Sequence, residues 1–582
     1  MKATPTASRQ PEAAGQQPGA DAERPACVHI TGWSRGLEVS GGGQGVVSHA
    51  GLALLRHLAD KTGLTGGLSR ALATPPVLVH DRGRVTADLA CAIADGVRVI
   101  SDFRVMSDQR ELFGLVASVP TAWRTLKEIA LGGTRADRRI TAAVNTARRH
   151  AWAQVAARHG ALPGVRLADR TLDGVICIRL DATVTAAHSD KELAEANFKG
   201  YGHHPLIGVC DNTGGEPLAW MLRRGSAGSN TTADHLQVLD AAIAAVPPGL
   251  RRKLMVTCDG AGASHGLIAR LDTLAARRGY ELTYSVGWAL GEREKTALRL
   301  VPERAWQAAI DGRGEVRERR APDACVNTGC AHRACWIEEA HVTELTGLLR
   351  CGPGGDQLHA WPAAMRVFAR RERPHPGAQL TLLEAADGWR YSLWATNRPA
   401  DTRGWLGQAA YIDAAHRVHA RVEDAIRTGK DTGLGHFPSF DYQVNAAWLT
   451  ASMTGQILLA WLKLLALDGD LAKAEPRTLR PGAARRGPPG PRRPAAPPEN
   501  PGVLAMGRGD HGRVAAHQRA PASPLTSTKP SLRSRKENPG ACGTPPPGRQ
   551  PGHRHTPALK SRPQTGPADA QRQPSTRMKY QG

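Results

Sequence analysis

The chain has 582 residues, 41% hydrophobic and 22% charged, too long for one ordinary domain and apolar enough to bury a sizeable core. Lys and Arg outnumber Asp and Glu by 76 to 53, a formal charge of +23. That balance favours polyanionic partners, nucleic acid first, and argues against an extracellular disulfide scaffold or an acidic-substrate pump.

Residues 1–26 are polar and rich in Pro and Gly, and read as a disordered arm. They lack the apolar stretch of a secretory signal, and most of the ten cysteines lie in apolar runs, so a cytoplasmic setting is expected. Residues 27–170 read as a helical domain. Ala53–Leu58 and Gly67–Leu72 flank the turn Lys61-Thr62-Gly63, Arg84–Val97 is amphipathic, and Ser118 or Thr121 caps a further helix. Such a unit can place a helix in a DNA groove or be a plain bundle. From 171 to 286 the order is strand, strand, strand, helix, strand, helix, strand. Val175–Leu180 runs into Asp181. Pro205–Cys210 and Pro217–Leu222 flank the hairpin signal Asp211–Gly215, Asn230-Thr231-Thr232 caps a helix, and Lys253–Cys258 runs into Asp259. His203-His204 reads as turn surface. Residues 287–400 read as a β-rich insertion with strands at Met365–Arg370 and Trp389–Ala395. Helices return over 401–480, and Val444–Leu467 reads as a buried helix, not a membrane span. The segment 481–582 holds 18 basic and four acidic residues and nearly half of the 41 prolines, with no Ile, Phe or Trp. It cannot bury enough apolar surface to offset chain entropy, and a disordered basic tail is expected. The first 480 residues keep only +9.

A carboxylate at the end of an apolar strand is costly unless solvated, paired or bound to a metal. Asp181 and Asp259 both stand there, and two such ends could converge on one hard cation or each cap a turn. On a helix over His416–Lys430, at about 100° per residue, His416, His419, Glu423 and Lys430 share an arc of roughly 60°. Val418, Val422 and Ile426 fill a neighbouring arc of roughly 80°, which would face the core.

In this order and context, Asp181, Asp259 and Glu423 resemble the acidic triad of insertion-sequence DDE transposases. The helix is similar to their Y-x2-R-x3-E-x6-K signature: Glu423 and Lys430 match, while His416 and His419 stand where Tyr and Arg are usual. Val99–Asp102, Ser118–Leu126, Asp181–Thr185, His341–Leu349, Trp361–Arg371 and Trp394–Asn397 resemble the thirteen-eighty group, over about 27–480. The resemblance implies an α/β fold with an RNase H-like catalytic core. The core is expected in two parts, 171–286 and 401–480, with the insertion filling the 164-residue gap between Asp259 and Glu423. It implies two Mg²⁺ ions, with Mn²⁺ as a substitute, held by Asp181, Asp259 and Glu423. Lys430, His419 and His416 would contact DNA phosphates. Implied partners are double-stranded DNA, at element ends and target, and a second copy as a homodimer on DNA, in a bacterial nucleoid-associated setting with no membrane. The implied reaction cleaves the element ends and joins their 3′-OH groups to target DNA. Alternatives are an RNase H-like nuclease without strand transfer and an inactive DNA-binding copy. The tail reads either as an out-of-frame gene end or as a basic DNA-binding extension.

Cys325, Cys330, His332 and Cys335 could hold zinc, or be unpaired thiols in a loop. Gly41–Gly45 lacks the Lys-Ser/Thr of a nucleotide loop.

Overall fold

The computed structural model describes residues 49 and 51–479, apart from 74, 76, 109–112, 198–199, 229–230, 318–338, 376–377 and 400–403. The expected arm and tail, the Gly41–Gly45 turn, and Cys325, Cys330, His332 and Cys335 lie outside the described residues.

The longer helices of the first part are α1 (Gly51–Lys61), α2 (Leu64–Leu72), α3 (Arg82–Asp95) and α4 (Val119–His159). The Asp81 side chain accepts from the Arg84 N–H at 2.7 Å and starts α3. Arg56 of α1 is buried and pairs with Asp60 and with Asp88 of α3, which ties the two helices together. Every residue of α3 except Arg84 is buried. It is a core helix and cannot lie in a DNA groove. Helix α4 starts after Ser118 and bends at Gly133, whose φ of +47° suits only glycine there.

The strands follow in chain order: β1 (Val165–Leu167), β2 (Arg170–Leu172), β3 (Ile176–Ala182), β4 (Thr185–Ala186), β5 (Glu195–Asn197), β6 (Gly200–His203), β7 (Leu206–Cys210) and β8 (Glu216–Met221). After α5 (Thr232–Ala245), β9 (Lys253–Cys258), α6 (His265–Ala275) and β10 (Glu281–Trp288) come β11 (Gln307–Ala308), β12 (Ala340–Glu344), β13 (Arg366–Glu372) and β14 (Arg390–Thr396). Nine of them form one mixed sheet in the order β11-β12-β13-β14-β10-β9-β3-β7-β8. Strands β3, β9 and β10 are mutually parallel, and the other pairings are antiparallel. The strands of 287–400 therefore do not form a sheet of their own; β14 pairs with β10 and extends the main one.

His203 and His204 are not turn surface. Both are buried, one at the end of β6 and one just after it, and one ring nitrogen of each meets a backbone carbonyl: His203 Nε2 lies 2.9 Å from Glu192 O, and His204 Nδ1 lies 3.0 Å from Ala227 O. These two loop carbonyls lie outside the small β4-β6-β5 sheet and need donors, which the imidazoles supply.

One face of the main sheet packs on α5 and α6, through Val238, Leu239, Ala242, Leu267, Ile268 and Leu271. The other face is covered by α7 (Ala409–Arg417) and α8 (Arg421–Gly429), joined by a 3₁₀ turn at Val418–Ala420. The single helix expected over His416–Lys430 is thus broken at Val418, and α8 stops before Lys430, which opens a π turn to Leu434. Beyond them lies α9 (Tyr442–Ala466). It is long and apolar enough to cross a membrane, but its most apolar window is 78% buried. It is a core helix, sharing one cluster with α1–α4, Val422 and Ile426 of α8, and Ile207 and Val209 of β7.

Glu216 clamps α4 to β8. It is fully buried and accepts from Arg148 Nε at 2.7 Å and Trp152 Nε1 at 2.8 Å, and Arg148 is itself fully buried. Glu216→Ala leaves that guanidinium uncompensated and is expected to cost about 3–5 kcal/mol. Urea unfolding midpoints measure it; a loss below about 1 kcal/mol would mean that water reaches the Arg148 pocket.

Candidate active site

The parallel ladder between β3 and β9 pairs Ile176 with Leu254 and continues in register to Leu180 with Cys258. Asp181 is the next residue on β3, and Asp259 is the first residue past β9. They therefore stand side by side at the carboxyl ends of neighbouring parallel strands, both half-buried. The Cys258 thiol is pushed well up by burial, and next by the charges of Asp259 and Asp181. One buried thiol thus feels both carboxylates. The Asp181 carboxylate accepts from the Ala182 N–H at 2.7 Å.

Side chains alternate along β3, so Asp181 shares a face with Cys177 and Arg179. That is the face beneath α7 and α8, because Cys177 and Met255 pack with Ala415 and Val418. A polar row runs across the sheet there. Ser285, Thr257 and Arg179 are neighbours in register on β10, β9 and β3. His416 Nδ1 lies 2.9 Å from Ser285 Oγ, and His419 Nδ1 lies 2.9 Å from Thr257 Oγ1. Arg179 Nη1 donates to the same Thr257 hydroxyl at 3.1 Å, and its Nη2 pairs with Asp211. Farther along, Ala425 meets Gly215, where an added Cβ would come within 2.7 Å of the Ala425 Cβ. The helix pair therefore crosses the sheet from β10 to the edge at β8.

The two histidines are not placed as cationic phosphate contacts. Burial lowers the His416 pKa to about 3, with the charges of Arg417, Arg179 and Arg370 adding to it. Burial and then Arg179 do the same to His419, also to about 3. His416 is stacked on Trp394 at 4.9 Å between ring centroids, and His419 Nε2 is buried with no hydrogen-bond partner. Both are neutral pegs that fasten the helix pair to the sheet. Of the three residues expected at phosphates, only Lys430 is exposed.

Glu423 is exposed on α8. Arg421 reaches Asp211 at 3.0 Å and the Arg166 carbonyl at 2.8 Å, which places its flank of α8 over the amino end of β3. Two residues on a helix are about 200° apart, so Glu423 projects from the other flank of α8. The structure brings the two aspartates together, and Glu423 is exposed on α8. Among the described residues, however, no three His, Cys, Asp or Glu side chains are gathered closely enough to hold a metal ion.

The sequence reading missed Arg179, Thr257, Asp211 and Arg421, the groups that dock the helix pair. One signal was present: Arg179 interrupts an apolar strand two residues before Asp181.

The family described as transposase DDE domain group 1 matches residues 31–481. The chain belongs to this family. It is a DDE transposase, an enzyme of the polynucleotidyl transferase type that acts in DNA transposition. No curated protein matches the transposase in sequence. A solved structure similar to it is a piggyBac transposase synaptic complex with hairpin DNA, at 9% identity and a TM-score of 0.34, covering 70% of this chain and 74% of that one.

The lowered histidine pKa values fix a sign. Between about 3 and 6.5 the unfolded chain binds these protons and the folded transposase does not. Stability is therefore full above pH 6.5 and falls as the pH drops toward 3, with a slope of at most about 1.4 kcal/mol per unit for each histidine. Urea midpoints at pH 7 and pH 5 should differ less in His416→Gln/His419→Asn than in the unmutated protein. An equal difference in both would show that the imidazoles protonate freely in the fold.

Proposed function

We propose that this transposase binds the terminal inverted repeats of an insertion sequence, cleaves the element ends by metal-dependent hydrolysis, and joins the freed 3′-OH ends to target DNA as a homodimer. The observation that carries this reading is the in-register placement of Asp181 and Asp259 at the ends of β3 and β9; Glu423, exposed on α8, would complete the set. The order β8-β7-β3-β9-β10, with β3, β9 and β10 parallel and β7 antiparallel, supports an RNase H-like core.

The donor chemistry fits a hard divalent cation, since all three side chains offer carboxylate oxygens and two are already adjacent. Asp181, Asp259 and Glu423 would hold Mg²⁺. Bound there, the metal supplies Lewis-acid charge that favours attack by water or a 3′-hydroxyl on the scissile phosphate and eases departure of the leaving oxygen. The protein's own part is positional. The rigid strand ends fix two carboxylates, α8 carries the third, and Lys430, seven residues on, is exposed for a DNA phosphate.

Asp181→Ala, Asp259→Ala and Glu423→Ala are each expected to lower cleavage of DNA carrying the element ends by about 10²–10³-fold or more, as is chelation of the metal, with DNA binding retained. Lys430→Ala should keep cleavage measurable and flatten the salt dependence of binding by about one phosphate contact. Undiminished cleavage by Glu423→Ala would remove Glu423 from the site. Cleavage with no joined product in the unmutated protein would make the enzyme a nuclease.

A further inference from the structure

Past its bend at Gly133, α4 buries Ile140, Val144, Ala147 and Ala151 against the core. On a helical wheel these four centre on one side. Arg135, Arg138, Arg139 and Arg149 lie within an arc of about 100° on roughly the opposite side, and all four are exposed. Thr146 and His150 complete the same exposed face, and no acidic side chain stands in it; Asp137 projects about 200° away from Arg135. None of the four arginines forms an ion pair with another described residue. Arg138 and Arg149 bond only within their own helix, to Thr134 O at 3.2 Å and Thr146 Oγ1 at 2.9 Å.

A solvated helix face ordinarily interleaves acids with bases at three- and four-residue spacing, which stabilises the helix. Here Arg135 faces Arg138 and Arg139 at those spacings, so the stripe repels itself. The first 480 residues carry only +9 in total, so four uncompensated arginines are a marked local concentration. From Arg135 to Arg149 the helix rises about 21 Å, a length over which duplex DNA presents about twelve phosphates. Guanidinium groups are the side chains best suited to phosphate oxygens.

We propose that this outer face of α4 is a docking track for the backbone of duplex DNA, separate from the carboxylate site. The inference rests on the transposase reading above and adds to it a surface that holds the duplex without reading its sequence. It also gives the helical region a way to engage DNA although α3 is buried.

The experiment uses the full chain and a labelled DNA duplex of mixed sequence, with binding measured by anisotropy over a series of salt concentrations. Replacing all four arginines by glutamine should flatten the slope of log K against log salt by about 3 to 4, because each lost phosphate contact removes about 0.9. The four Arg→Lys replacements keep the charge and should restore most of the slope. Far-ultraviolet circular dichroism and the melting temperature should match the unmutated protein in both variants, since no replaced side chain is buried. An unchanged slope in the glutamine variant would overturn the track and leave the transposase reading standing. No duplex binding by the unmutated protein at any salt concentration would overturn both.

Discussion

Arg179 is the buried charge on which the arrangement of this enzyme turns. Its side chain is fully inaccessible at the centre of the main sheet, bonded to Thr257 on the next strand and paired with Asp211 after β7. A guanidinium in that position costs several kcal/mol of desolvation unless its donors are met. Its two terminal nitrogens find partners, and this constrains three elements at once: β9 through Thr257, the β7–β8 turn through Asp211, and α8 through Arg421, which shares Asp211. The same charge helps keep His416 and His419 uncharged, so the helix pair docks through neutral imidazoles. Asp181 stands two residues from Arg179 on the same strand face, and its position is inherited from that clamp.

The helical layers serve the same site from behind. Val422 and Ile426 of α8 belong to one core with α9 and with α1–α4. Helix α8 is therefore held between the sheet and a helical layer assembled from both ends of the folded region. The turn after it is pinned as well: the Gly433 carbonyl accepts from Trp448 Nε1 of α9 at 3.0 Å, and Gly433 takes φ of +93° with Ser452 close behind it. Thr185, four residues beyond Asp181, donates to the Leu434 carbonyl at 2.8 Å. The segments after β3 and after α8 are thus bonded to each other beside the carboxylates. Asp413, fully buried on α7, adds a third anchor by pairing with Arg370 of β13 at 2.7 Å. That contact gives the strands of 287–400 a share in placing the helix pair, which a separate insertion would not have.

Much of this was legible in the sequence, because strands of a buried sheet announce themselves as apolar runs closed by turn residues. Strands β3, β7, β8, β9 and β10 lie where the runs place them, and the alternation of helix and strand sets Asp181 and Asp259 at matching ends. What was not legible depended on partners. Met365–Arg370 and Trp389–Ala395 read as strands, but nothing in them says that β14 will pair with β10. The wheel over His416–Lys430 gives relative angles and correctly sets Val422 and Ile426 toward the core. It cannot reveal that Ser285, Thr257 and Arg179 make a polar row on the opposing sheet that demands polar partners. That demand pulls His416 and His419 inward. His203 and His204 misled for the same reason: the carbonyls they satisfy belong to Glu192 and Ala227, residues whose backbone geometry the sequence does not display.

A helix lying across a sheet keeps two freedoms, sliding along the strands and rolling about its own axis, and the two are removed here by different contacts. Sliding is stopped by the imidazole pegs on Ser285 and Thr257, which fix the row over which α7 and α8 cross. Rolling is stopped on one flank by Arg421, held by Asp211 and the Arg166 carbonyl, and underneath by Val422 and Ile426. Glu423 takes no part in either restraint. Its carboxylate stays exposed on α8 while the residues on both sides of it are held in place. Where the transposase signature has Tyr and Arg, this chain has two histidines, and both bond across to the sheet, to Ser285 and Thr257, on either side of the break at Val418.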